Sequence, residues 1–284
     1  MNKWVIGARP RTLPAAIAPV LVASALAGND FAPLPASLAL FVSLSLQVGV
    51  NYANDYSDGV RGTDENRVGP TRITAAGLAT PASVKAAAFT SFGLAALAGL
   101  ALAAMTSWWL IAIGAAAILA AWGYTGGKNP YGYLGLGELF VFIFFGVVAT
   151  VGTFYVQSQT ITLNSVLASI PMGTFACALL AINNIRDRAL DAAVGKRTLA
   201  VRLGDRRSRQ FFAALIALGY LSVAAMGEPW LAMVFVTLPI ALGLIRGVLG
   251  PVQGRDLIPF LAKTGKLQLL FSITFAISLL LSHG

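Results

Sequence analysis

The sequence predicts an all-α integral membrane protein: one domain over residues 1–284, built as a bundle of nine transmembrane helices with a cytoplasmic N-terminus and an outside C-terminus. Three observations carry this. Of all residues 57% are hydrophobic and 11% charged, against roughly 25% charged in a typical soluble domain. Apolar runs recur at about the 20 residues a spanning helix needs. They lie near 12–28, 36–57, 82–105, 107–124, 135–157, 163–186, 208–227, 229–249 and 265–282, and none alternates with period two as a barrel strand would. Finally, nine spans place all 20 Lys and Arg on one side, leaving Asp30 and Glu228 in the opposite loops. The positive-inside rule then sets the topology.

Taken in order, the first run is flanked by Lys3, Arg9 and Arg11 and interrupted by Pro14 and Pro19. It ends at Ala23-Ser24-Ala25, which mimics a signal-peptide cleavage site, but the prolines and the basic flank favour a retained span. Thr80 and Pro81 read as the cap and first position of the third helix. Pro171 and Pro239 are tolerated inside a bundle, and the Gly and Ala of spans three to six permit close helix approach. Cys177, the single cysteine, reads as a buried small apolar residue, and His283 lies at the far-side terminus, away from the chemistry. The net charge of +9 is a membrane-topology signal and does not indicate nucleic acid.

Chemistry concentrates where runs end on the cytoplasmic side, at about 55–81, 124–134 and 187–207. The stretch Asn51 to Arg72 carries Asp55, Asp58, Asp64 and Glu65 with Arg61, Arg67 and Arg72. A helix continuing through it aligns Asn51, Asp55 and Asp58 on one face, a candidate hard-cation site. Alone, the stretch reads equally as a solvated loop with capping acids. The second stretch, Asn183 to Asp205, shifts the balance. Asn183, Asp187 and Asp191 again share a face, and superposing Asp187 on Asp58 brings Asn183 onto Asn54 and Asn184 onto Asp55. Two such faces across from each other suit Mg²⁺ ions that hold a diphosphate. In the loop Tyr124 to Tyr133, Lys128 reads either as a snorkelling edge lysine or as a diphosphate contact. Arg186 and Lys196 add cations near Asp187, and Arg72 or Arg197 offers bidentate phosphate contacts.

At these residues the chain resembles the UbiA-type superfamily of intramembrane aromatic prenyltransferases. Asn54-Asp55-x-x-Asp58 is similar to that family's first Asp-rich motif, Asp187-x-x-x-Asp191 to its second, and Tyr124-x-x-x-Lys128 to its Tyr/Lys motif. They follow the second, sixth and fourth of nine spans, so the resemblance covers the whole chain. The chain departs from the first motif at Gly62, where the family has aspartate, and the next acid is Asp64. Gly62-Thr63-Asp64, Arg67-x-Gly69-Pro70-x-Arg72, the N-terminal Gly7-Ala8-Arg9-Pro10-Arg11-Thr12-Leu13-Pro14, and YTGGKNPYGYLGLGE are similar to the 1,4-dihydroxy-2-naphthoate polyprenyltransferases of menaquinone synthesis.

The resemblance implies transfer of a polyprenyl group from its diphosphate to 1,4-dihydroxy-2-naphthoate, with Mg²⁺ as cofactor, in the inner membrane and with a site opening to the cytoplasm. It implies Asp55, Asp58, Asp187, Asp191 and Lys128 as catalytic. Asn51, Asn54 and Asp64 join the four aspartates at the metal. Arg61, Arg67, Arg72, Tyr124, Asn183, Asn184, Arg186, Lys196 and Arg197 are expected to hold substrate. The absence of any Ser–His or Cys–His pair agrees, because an allylic diphosphate ionises once its leaving charge is neutralised. A 4-hydroxybenzoate acceptor is the alternative within the superfamily. Outside it, Asp55-x-x-Asp58-Gly59 with Arg61 echoes CDP-alcohol phosphotransferases, but the second acid pair lies far away near position 190. A transporter fits less well, since its ion sites sit near mid-bilayer.

Overall fold

The computed structural model describes residues 2–63 and 69–283, and every regular element among them is helical. A short helix, α1 (Lys3–Ala8), precedes the bundle. Next come α2 (Pro14–Leu26), α3 (Pro33–Val60), α4 (Pro81–Met105) and α5 (Leu110–Gly123). The second half comprises α6 (Gly137–Ser158), α7 (Leu163–Ala193), α8 (Leu199–Ala224), α9 (Pro229–Leu249) and α10 (Ile258–His283). Each predicted apolar run thus contains a helix. Six helices among the described residues are long and apolar enough to cross a membrane, while α2 and α5 are shorter apolar helices.

The largest departures from the predicted runs lie where helices outlast them. Helix α3 continues to Val60 and α7 to Ala193, so both acidic stretches begin as rigid helix rather than loop. Helix α8 begins nine residues before its run, because a charged turn joins it across a non-helical Gly204. Within α6, residues Phe142–Val148 wind as π-helix where Gly146 meets Gly173 of α7; a Cβ on Gly146 would lie 2.6 Å from the Gly173 Cα. Close helix approach at small residues is the packing logic of a membrane bundle.

Helix α7 is the axis of the fold, with 78% of its apolar span buried. One core lies between α2, α7, α8 and α10, where Phe175 packs on Phe271 at 4.6 Å between ring centres. A second, smaller core joins α1, α3 and α4 around Tyr52, Ile73 and Phe92. Outward faces carry bare leucines such as Leu97, Leu119 and Leu163, as lipid-facing surfaces do. The first half of α8 carries Arg202, Arg206, Arg207 and Arg209. Arg209 is 4% exposed and donates to the carbonyls of Val248, Gly250 and Val252, so it caps the end of α9 instead of facing solvent.

Candidate active site

The two acidic helix ends line one cavity of about 470 Å³. Its polar end is formed by α3 and α7, and its length runs between α3, α4, α5 and α6 past Leu46, Leu102, Ile113, Phe144 and Val148. The bore is kept wide by small residues: a Cβ added at Gly99, Gly114 or Gly152 would meet nothing within 4 Å.

On α3, Asn54 and Asp58 face the cavity one turn apart. The Thr125 hydroxyl donates to Asn54 Oδ1 at 2.8 Å. Asp58 Oδ1 accepts from the Tyr133 hydroxyl at 2.6 Å and pairs with Lys196 Nζ at 3.1 Å. The ammonium of Lys196 also stands over the Tyr133 ring. Burial works against the charge on Lys196, but Asp58, Tyr133 and Asp191 overcome it and raise its pKa above the usual lysine value. Burial first, then the charge of Asp58, likewise raises the Tyr133 phenol, so Tyr133 remains a proton donor to Asp58.

Asp55 has a different task. It is fully buried, does not line the cavity, and accepts backbone N–H bonds from Ile73 at 3.0 Å and Thr74 at 2.9 Å. Asn51 lines the cavity but gives its amide nitrogen to the Ala8 carbonyl and the Thr12 hydroxyl. On α7, Asn183, Asn184, Asp187 and Asp191 all line the cavity. Arg186 grips Asp187 with two bonds of 2.7 and 2.6 Å. Asn184 donates to Glu138 Oε1 at 2.9 Å.

Of the remaining sequence-predicted residues, Arg72, Tyr124 and Lys196 line the cavity. Arg61 does not: its guanidinium donates to the carbonyls of Thr125 and Gly127 and lies over Tyr133. Lys128 is exposed and outside the lining, as is Arg197, whose backbone N–H binds the Tyr133 carbonyl. Asp64 and Arg67 lie outside the described residues. Sequence reasoning missed Arg9, Thr12, Gln47 and Thr125 in the lining and the buried Glu138 beside Asn184. Arg9 and Thr12 belonged to a quoted N-terminal motif, but an aperiodic strap gives no clue to which helix it crosses.

The donor set suits a hard divalent cation: one amide and three carboxylates from two rigid helices converge on one cavity. Among the described residues no three acidic, cysteine or histidine side chains already stand close enough to cage an ion. Lys196 and Arg186 hold Asp58 and Asp187 as counter-cations.

Comparison with known proteins agrees with this architecture. The chain is 48% identical to a 1,4-dihydroxy-2-naphthoate octaprenyltransferase of Mycobacterium tuberculosis, over 96% of this chain and 95% of that one. It is 36% identical to the Escherichia coli protein of the same name, over 99% and 96%. Among solved structures, a UbiA homolog from Archaeoglobus fulgidus bound to GPP and Mg²⁺ superposes with a TM-score of 0.67 at 14% identity, over 98% of this chain and 99% of that one. An apo UbiA homolog from Aeropyrum pernix gives 0.68 at 14% identity, over 94% and 97%. The UbiA prenyltransferase family matches residues 16–257. With its helical bundle, its two acidic helix ends and that match, the chain belongs to the UbiA prenyltransferase family.

Proposed function

We propose that the protein transfers a polyprenyl group from polyprenyl diphosphate to 1,4-dihydroxy-2-naphthoate, releasing CO₂ and diphosphate to give demethylmenaquinone. The observation that carries the reading is one cavity with an acid- and cation-rich end and an apolar bore. A diphosphate with a long hydrocarbon tail has that same division. The protein works as a multi-pass inner-membrane enzyme of nine spans, N-terminus in and C-terminus out, with the polar end facing the cytoplasm.

Asn54, Asp58, Asp187 and Asp191 would hold Mg²⁺, with Asp64 from the adjoining segment as a further ligand. Bound Mg²⁺ neutralises the diphosphate leaving group. Lys196 and Arg72 line the same end and hold phosphate oxygens, while Tyr133 keeps Asp58 oriented through its hydroxyl. Arg67 adds charge from the same segment, and Lys128 and Arg197 draw the anionic donor toward the mouth from outside. The apolar bore excludes water from the allylic cation, which would otherwise be hydrolysed. The carbon–oxygen bond breaks with its electron pair leaving on diphosphate. A ring carbon of the electron-rich acceptor then supplies the pair for the new carbon–carbon bond. As CO₂ departs, the pair of its bond returns to the ring and restores aromaticity, so no protein acid is required.

The test gives purified enzyme, Mg²⁺ and a polyprenyl diphosphate, with carboxyl-labelled 1,4-dihydroxy-2-naphthoate or 4-hydroxybenzoate in turn. Prenylation of the naphthoate with loss of label is expected. Prenylation of 4-hydroxybenzoate alone, with label retained, would remove the acceptor assignment.

A further inference from the structure

We propose that Arg9 is the anchor for the carboxylate of the aromatic acceptor. The inference rests on the acceptor class stated above and goes on to assign the residue that reads it. Arg9 lies on the strap between α1 and α2, and its side chain lines the cavity. Its backbone sits at φ 52°, ψ 72°, in the left-handed region. That conformation is costly for a residue with a Cβ, and the following Pro10 restricts Arg9 further. Such strain persists only where surrounding structure imposes it, and it clusters at functional positions.

The surroundings here are built for the purpose. Gly7 presses α1 onto α3 so closely that a Cβ there would lie 2.8 Å from the Tyr52 ring and 2.9 Å from Ile73. The Tyr52 hydroxyl holds the Trp4 carbonyl, and Asn51 holds the Ala8 carbonyl. Thr12 donates to the Arg9 carbonyl and accepts from Gln47 at 3.1 Å and Asn51 at 3.0 Å. The strap is therefore fixed on both sides of Arg9.

The guanidinium uses Nη2 to bind the Asn51 carbonyl at 3.1 Å. Among the described residues the one acid paired with it is Asp55 at 4.0 Å, whose oxygens are already engaged by the Ile73 and Thr74 N–H groups. Arg9 thus retains donors in a fork geometry suited to a carboxylate. Its position also fits. Its guanidinium meets α3 at Asn51 and Asp55, both before Asp58, so Arg9 sits on the bore side of the carboxylates proposed for Mg²⁺, where an acceptor ring beside the diphosphate end would lie. Gln47 lies one turn deeper in the cavity wall, and with its amide nitrogen on Thr12 its carbonyl can accept from a ring hydroxyl. The arginines expected from sequence to hold substrate are placed differently: Arg61 is committed to the carbonyls of Thr125 and Gly127. Arg72 lines the same cavity and is the internal comparison.

The decisive variant is Arg9→Gly, which removes the guanidinium and relieves the left-handed strain, so the fold is retained or strengthened. The full-length enzyme with Mg²⁺ is assayed with 1,4-dihydroxy-2-naphthoate and with 1,4-dihydroxynaphthalene, which lacks the carboxylate. Losing a charge-assisted contact should raise KM for the acid roughly tenfold to a hundredfold. KM for the polyprenyl diphosphate and efficiency with the diol should stay near wild type, and Arg9→Lys should recover part of the acid's affinity. An equal loss with both acceptors, a loss confined to the donor, or the acid-selective loss appearing at Arg72 instead would overturn the assignment. Direct binding of 1-hydroxy-2-naphthoate against 1-naphthol, measured without donor, separates the two readings. Wild type that binds the acid only through Arg9 but fails to prenylate 1,4-dihydroxy-2-naphthoate refutes the acceptor reaction and upholds the anchor. Equal binding of the acid by wild type and Arg9→Gly refutes the anchor itself.

Discussion

The ends of α3 and α7 carry the same residue pattern but use it differently. Asn54 and Asp58 on α3 correspond to Asn183 and Asp187 on α7, and all four face the cavity. Of the intervening pair, Asp55 lies outside the lining, and Asn184, although it lines the cavity, spends its amide on neighbouring structure. Asp55 holds the backbone at Ile73 and Thr74, and Asn184 holds Glu138 on α6. The difference teaches that an acid-rich helix end contains two faces: one shapes the ligand site and the other fastens the loop or helix that closes it. The counter-cations differ as well. Asp187 is held by its own neighbour Arg186, and Asp58 by Lys196 from the segment after α7. The segment that follows the second helix thus supplies a cation for the first.

Breaking the cavity-facing pair should have the largest effect. Asp58→Asn or Asp187→Asn should lower prenyl transfer by on the order of 10²–10³, read from initial rates at saturating Mg²⁺. Retained activity in Asp187→Asn at limiting Mg²⁺ would leave the α7 end as a structural ion pair with Arg186. Next in size is Lys196→Met. It removes the partner of Asp58 and a phosphate contact, and KM for the polyprenyl diphosphate should rise about tenfold, as for a lost charged hydrogen bond. An unchanged donor KM would restrict Lys196 to holding Asp58.

The loop-fastening face should answer in stability. Asp55→Leu leaves two backbone N–H groups without acceptors, and each orphaned buried group costs about 1–3 kcal/mol. Thermal unfolding in detergent should show a larger fall in Tm than for Asp58→Asn, whose amide oxygen can still accept from Tyr133 and Lys196. Equal Tm values for the two variants would erase the distinction between the faces. The smallest effect is expected at Lys128→Ala, because this side chain is exposed and outside the lining. Its donor KM should move by less than that of Lys196→Met, measured side by side.

Much of this fold was legible because bilayer thickness imposes span length on the sequence, and every apolar run contains a helix. The acidic ends were legible because helical period predicts which residues share a face. The placement of Asp55 was not. Positions 51, 55 and 58 do share a broad face, but Asn51 and Asp55 are drawn to the strap and to residues 73–74, contacts distant in sequence. Arg9 escaped notice for the same reason: only its packing across α3 brings it to the cavity. Glu138 sat in a quoted loop motif, yet its pairing with Asn184 depends on how α6 meets α7.

The most direct test of the two-face account is a Mg²⁺ titration of diphosphate release by wild type, Asp55→Asn and Asp58→Asn, each shown to be folded. Asp55→Asn should keep the wild-type midpoint for Mg²⁺ even where its stability falls, and Asp58→Asn should shift that midpoint to much higher Mg²⁺ or lose turnover. A midpoint shift in Asp55→Asn as large as that in Asp58→Asn would contradict the account, placing Asp55 at the metal after all.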